Sequence, residues 1–185
     1  MGDCNSRFYD EGSEMWYGDF ISENYFRIEK EQHYDKVLKH NRVKAVDCVL
    51  YCHDEKHRHH NVIFIEGKKN LRYDGKGFRT KISDISMQFM DSLNIVCGSW
   101  LRTDNTELDL PNNFSQFFKK RGQILFTLII KNCPISELLY IEQALTSCLK
   151  KERLLWRISV NVYNEELALK KKLVFAMNET EKPRG

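Results

Sequence analysis

Proline is scarce in this chain, with 3 among 185 residues. Hydrophobic residues make up 42 % and aromatics 12 %. That balance excludes a linker-like chain and supports a single folded domain with a substantial core. Long apolar runs are also missing. The longest, Ile124 to Ile130, has the length of a strand and contains Thr127, which excludes a membrane-spanning helix. The opening residues Met1-Gly2-Asp3-Cys4-Asn5-Ser6 are polar, so no secretory signal is expected. Gly2 and Ser6 do match the myristoylation pattern, which is short enough to arise by chance. The six cysteines include no Cys-x-x-Cys pair. Most lie in apolar patterns, where a free thiol packs as a small hydrophobe. A reduced, cytoplasmic protein with no membrane role is therefore expected. The net charge of +3 is too small to name a partner. Clusters at Lys119-Lys120-Arg121, Lys150-Lys151 and Lys170-Lys171-Lys172 read as solvated faces or as phosphate contacts.

The organisation follows from periodicity. Residues 1–18 are polar with scattered aromatics and read as a loosely structured lead-in. Phe20, Ile21, Tyr25, Ile28 and Leu38 recur at helical spacing from Asp19 onward. Val43 to Cys52 and Val62 to Lys69 read as two strands of a hairpin, joined by the polar stretch 53–61. Leu71-Arg72-Tyr73 reads as a short extended piece before the turn Asp74-Gly75-Lys76-Gly77. Ile82, Ile85, Phe89, Leu93 and Val96 mark one helix face that Gly98 ends. Residues 99–122 look irregular, with an aromatic patch at Phe114, Phe117 and Phe118. Ile124 to Ile130 is a strand buried on both faces. A helix follows Pro134, with Ser136 as its cap, then a strand from Trp156 to Tyr163 and a helix from Leu167 to Met177. The fold class expected is α/β, a central mixed sheet with a β-meander flanked by helices. One domain spans 19–177, and 178–185 form a frayed tail.

Acidic residues are costly inside apolar strands, and two are found there. Asp47 lies within Ala45-Val46-Asp47-Cys48-Val49-Leu50-Tyr51, and Glu66 and Lys68 close Val62-Ile63-Phe64-Ile65-Glu66-Gly67-Lys68. Strand side chains alternate, so Glu66 and Lys68 share a face with Gly67 opposite. Asp47, one hairpin strand away, joins them if the register allows. Hard oxygen ligands of this kind hold Mg²⁺ or Mn²⁺. Such a metal acidifies a bound water, and an ammonium beside it orients that water and offsets phosphate charge. The same loose triplet occurs at Asp54-Glu55-Lys56 and Asp74-Gly75-Lys76, but both fall in polar turns. A solvated ion pair at a strand end is the plain alternative for Glu66 and Lys68.

Asp47, Glu66 and Lys68, in that strand context, resemble the PD-(D/E)XK nuclease superfamily with its restriction-endonuclease-like core. Val46 stands where that family's motif has proline. The resemblance implies Mg²⁺- or Mn²⁺-dependent hydrolysis of phosphodiesters in DNA, or else in RNA. It implies Asp47, Glu66 and the Gly67 carbonyl as metal ligands and Lys68 as the residue that positions water. A further carboxylate from the preceding helix is implied, with Glu23 preferred over Glu29. So small a nuclease would take its target from a homodimer or a protein partner, in host defence or mobile-element biology. A non-catalytic nucleic-acid-binding or assembly subunit that keeps the fold is the alternative.

Other constellations are weaker. Cys48, Cys52, His53, His57, His59 and His60 surround the hairpin tip without a zinc spacing, so zinc is not expected. His57 and Arg58 are candidate backbone-phosphate contacts there, as are Lys69 and Lys76 beyond the motif. Asp74-Gly75-Lys76-Gly77 lacks the ending of a P-loop and reads as a turn. Gln88 can point toward a phosphate but reads first as an exposed helical residue.

Overall fold

A computed structural model describes residues 5–31, 34, 38–54, 59–101, 110–120 and 122–175. Seven strands and five α-helices are found among them. In chain order they are β1 (Asn5–Asp10), β2 (Met15–Ile21), β3 (Tyr25–Phe26), β4 (Cys48–Asp54), β5 (His59–Lys68), α1 (Phe78–Leu101), α2 (Phe114–Lys120), β6 (Gln123–Ile130), α3 (Ile135–Cys148), α4 (Lys150–Trp156), β7 (Ser159–Asn164) and α5 (Glu165–Lys170). The main sheet has the order β3-β4-β5-β6-β7. β3, β4 and β5 run antiparallel, whereas β5, β6 and β7 run parallel. The chain is therefore α/β with a five-stranded mixed sheet, as expected. No helix among the described residues is long and apolar enough to cross a membrane.

Strand alternation divides the core into two layers. Val62 and Phe64 of β5, with Phe126 and Leu128 of β6, pack under Ile82, Ile85 and Phe89 of α1 and Ile141 and Leu145 of α3. Phe89 stacks on Phe126 at a ring separation of 4.6 Å. The other face carries Cys48, Leu50, Ile65 and Ile129, covered by Phe8, Met15, Tyr17 and Phe20 of β1 and β2 and by Ala168, Leu173 and Val174. β6 is the strand with helices on one side and the hairpin layer on the other, which explains its unbroken apolar text.

Several expectations need correction. The lead-in is not loosely structured over Asn5–Ile21, which forms the β1–β2 hairpin with Met15 and Tyr17 pointing into the core. A boundary at residue 19 would cut through β2. No α-helix spans the segment after Asp19 among the described residues. Asp19 has φ 57°, a left-handed conformation that does not continue into a helix. Tyr25 and Phe26 pair with Leu50 and Val49 instead, so the meander gains its third strand before β4 and not at Leu71-Arg72-Tyr73. The expected strand from Val43 begins only at Cys48. α1 passes through Gly98 to Leu101, and residues 114–120, read as irregular, are helical. Pro134 is the N-cap of α3 and Ser136 lies within its first turn, so Ser136 is not the cap. Trp156 ends α4 and does not begin β7. The last helix is shorter and earlier than expected, with Asn164 accepting from the Leu167 N–H at 3.0 Å.

Candidate active site

The segment before β4 leaves the sheet but not its neighbours. The Lys44 N–H donates to Asp91 Oδ2 at 2.9 Å, and the Val46 N–H donates to the buried Ser92 Oγ at 2.9 Å. The Gln88 side-chain amide donates to the Ala45 carbonyl at 3.3 Å. Polar side chains of α1 thus satisfy backbone groups that strand pairing would otherwise take. This stitching delivers Asp47 to the start of β4, one step beyond the Cys48–Ile65 pair. The register left open by the sequence therefore brings Asp47 across from Glu66.

Glu66 and Lys68 project toward α1, in phase with Val62 and Phe64, while Gly67 faces the hairpin layer. The Gly67 N–H donates to Asp47 Oδ2 at 2.7 Å, and the Tyr17 hydroxyl donates to the same oxygen at 3.3 Å. A Cβ at residue 67 would lie 2.0 Å from the Tyr17 hydroxyl, 2.8 Å from Ser13 Cβ and 3.0 Å from Asp47 Oδ2. Only glycine permits this approach. Its carbonyl leaves the same strand edge as its N–H, the edge turned toward Asp47.

The Glu66 side chain is 2 % exposed, and Lys68 Nζ donates to its Oε1 at 2.5 Å. Oε2 is buried without a hydrogen-bond partner. Burial raises the Glu66 pKa from 4.5 to about 7, against the pull of Lys68 and of the nearby Gln88 amide. Asp47 is half-buried by surface, yet its carboxyl is enclosed enough that burial is the largest influence on it. Burial, then Glu66, then Asp10 hold its pKa well above the usual carboxylate range. Burial pulls the Lys68 ammonium down, but Glu66 outweighs it and the net shift is upward. The Tyr17 phenol is raised by burial and by Asp47. The arrangement concentrates negative charge in a dry place beside one ammonium, a pattern that functional sites favour.

Asp10 is the residue that sequence reasoning missed. It ends β1 and accepts from the Ser13 N–H at 2.7 Å. It raises the pKa values of both Asp47 and Glu66. The signal that would have found it is the alternation Met15/Tyr17 behind the turn Glu11-Gly12-Ser13-Glu14. Gln88 is likewise half-buried against the site and not simply exposed.

Glu23 does not join the cluster. It is exposed on the 3₁₀ turn Ser22–Asn24. The Tyr25–Leu50 pairing sets that turn beside the far end of β4, roughly 16 Å along the strand from Asp47. Glu29 is exposed too, on the turn Ile28–Lys30, where its charge adds to burial in raising the Tyr34 phenol pKa. Lys69 follows the motif and pairs with Glu14 at 2.5 Å. Lys76 is exposed in the turn leading to α1. His57 and Arg58 lie outside the described residues.

Asp47, Glu66 and the Gly67 carbonyl are oxygen donors of the type that suits a hard divalent ion. The unpartnered Glu66 oxygen fits such a group. Among the described residues no three His, Cys, Asp or Glu side chains are arranged to hold a metal ion. The side-chain donors are thus the Asp47 and Glu66 pair, with Asp10 near enough to act on them electrostatically. No protein-family model, curated protein or solved structure matches the chain.

Proposed function

We propose that the chain is a metal-dependent nuclease with a restriction-endonuclease-like core, hydrolysing phosphodiesters in DNA or, as the alternative substrate, RNA. The observation that carries this reading is the buried Glu66 carboxylate, with one oxygen held by Lys68, the other unpartnered, and Asp47 across the strand pair. Leaving a buried acceptor unpaired is costly, and such cost persists where chemistry uses the group. The antiparallel β3–β4–β5 meander, then α1 and the parallel strand β6, accord with that core. The hairpin in place of a leading helix is the departure.

In this reading Asp47, Glu66 and the Gly67 carbonyl would hold Mg²⁺ or Mn²⁺. When bound, that ion supplies positive charge at the phosphate and acidifies water. Lys68 orients the attacking water and offsets charge on the phosphoryl oxygens. Gln88, donating to the Ala45 carbonyl from α1, steadies the segment that carries Asp47, and Tyr17 and the Gly67 N–H fix the orientation of Asp47.

The test is cleavage of labelled duplex DNA, single-stranded DNA and RNA in Mg²⁺, Mn²⁺ or EDTA. Cleavage should require the divalent ion and fall by at least about a hundredfold in Asp47→Ala and Lys68→Ala, with the circular dichroism spectrum of the folded protein retained. Activity that survives either substitution would sink the assignment. The Lys68 ammonium already neutralises one Glu66 oxygen, which favours the second reading, a non-catalytic nucleic-acid-binding or assembly subunit. Binding of nucleic acid without cleavage in any metal would select it.

A further inference from the structure

The turn joining β1 to β2 lies across the end of β5 next to the candidate site. Ser13 is fully buried, and its Cβ and the Tyr17 hydroxyl occupy the space beside Gly67. Glu14 pairs with Lys69 at 2.5 Å and with Lys131 at 3.9 Å. Lys131 Nζ also donates to the Glu14 carbonyl at 2.7 Å. Asp10, at the other end of the turn, adds its charge to Lys68 and the two site carboxylates. Within five residues the turn carries Asp10, Glu11 and Glu14, of which Glu14 pairs with Lys69 and Lys131 and Asp10 acts on Lys68. β5 and β6 are parallel neighbours, and the Lys131 N–H bonds the Lys68 carbonyl at 2.9 Å. Lys69 and Lys131, which both meet Glu14, therefore form one strip at the C-terminal ends of the two strands, with Lys68 adjoining it on the α1 face.

We propose that Lys69 and Lys131 are phosphate contacts flanking the Asp47–Glu66–Lys68 site, and that the acidic turn occupies this strip until a nucleic-acid strand displaces it. The inference rests on the nucleic-acid reading above. It goes further by naming Lys131 and a self-masking contact. The chemistry is an exchange of anions: the backbone phosphates of the incoming strand take over the lysines that Glu14 holds. Two features make the turn displaceable. Its pair with Lys69 is open to water, with the Lys69 and Glu14 side chains 49 % and 39 % exposed, and such a pair is weak and screened by salt. Glu14 also sits at φ 54°, a left-handed conformation unfavourable for a side chain of its kind. The hairpin behind the turn is anchored by the buried Met15 and Tyr17, so the movement is confined to the turn, which gives up the burial of Ser13.

The test is fluorescence anisotropy of labelled DNA and RNA oligonucleotides in EDTA, where binding is read without cleavage. Glu14→Gln, which keeps the shape of the side chain, should bind up to about fivefold more tightly at low salt, the scale of one exposed pair. Lys131→Ala should bind more weakly and lower the salt slope by about one. Glu152→Gln, on α4 at the opposite end of the parallel strands, makes the same change in net charge and should leave affinity unchanged. Hydrogen exchange should show the 11–14 amides opening when oligonucleotide binds. Equal affinity of Glu14→Gln and wild type, or an equal gain in Glu152→Gln, would overturn the self-masking contact even if metal-dependent cleavage is observed. Unchanged affinity and slope in Lys131→Ala would overturn its role as a phosphate contact. If the wild type cleaves nothing but these binding shifts appear, the nuclease reading fails and the masked strip stands. If no variant binds oligonucleotide at all, the strip proposal is refuted.

Discussion

Replacing Glu66 by Gln should stabilise the protein, but only where the carboxylate is charged. Burial moves the Glu66 pKa from 4.5 to about 7, which costs the charged form about 3 kcal/mol relative to the unfolded chain. A carboxyl raised in the folded state binds its proton more tightly there. Stability is therefore complete below about pH 4.5 and is lost as pH rises through about 7. Gln fills nearly the same volume and carries no charge at any pH. Lys68 loses its partner in this variant, but its side chain is 35 % exposed and can turn toward water. Glu66→Gln should match wild type at about pH 4 and exceed it by up to about 3 kcal/mol at about pH 8. With a urea slope of about 2 kcal/mol/M, that is a midpoint shift of about 1.5 M. The assay is urea unfolding followed by circular dichroism at both pH values. Asp47 shifts in the same direction, so the difference between variant and wild type is the quantity to compare. A variant less stable than wild type at about pH 8, or a difference that ignores pH, would refute the idea that Lys68 only partly offsets the burial of the Glu66 charge.

Three further outcomes follow from the packing. Gly67→Ala should lose about 1–3 kcal/mol in urea unfolding, because its Cβ would overlap the Tyr17 hydroxyl. Adding Tyr17→Phe should recover part of that loss, and no recovery would place the strain elsewhere. Phe89→Ala removes a fully buried ring stacked on Phe126 and should cost about 3–5 kcal/mol. A thermal midpoint close to wild type would contradict the core described. Burial raises the thiols of Cys52, Cys97 and Cys133 to about 11, whereas Cys148 is exposed. Among these four, iodoacetamide near neutral pH should label Cys148 first, as read by peptide mass mapping.

The parts of this fold legible in the sequence were those with local, repeated signals. The apolar runs Val62–Ile65 and Ile124–Ile130 announced central strands, and Ile82, Ile85, Phe89 and Leu93 announced α1. The shared face of Glu66 and Lys68 followed from period two alone. The start of the chain carries only a weak strand signal because its buried residues, Phe8, Met15, Tyr17 and Phe20, are thinned by polar neighbours. The aromatic text at 20–28 also mimics helical spacing. Nothing local marks Tyr25-Phe26 as a strand, since its pairing partners, Leu50 and Val49, lie more than twenty residues away. The early start assigned to β4 failed for a related reason. Lys44, Ala45 and Val46 look like strand text, but α1 supplies their hydrogen bonds. The same long-range contacts determine the membership of the site. Asp10 enters through a hairpin packed on the far face of the sheet, whereas Glu23, close to the motif by family expectation, is held at the other end of β4.

The central claim is that Asp47, Glu66 and the Gly67 carbonyl form one divalent-cation site beside Lys68. The most direct measurement is a crystal soaked in Mn²⁺, with the ion located by its anomalous scattering. A single strong peak is expected between Asp47 and Glu66, within bonding distance of the Gly67 carbonyl oxygen and absent from crystals of Asp47→Ala. An empty site at saturating Mn²⁺, or a peak unaffected by Asp47→Ala, would contradict it.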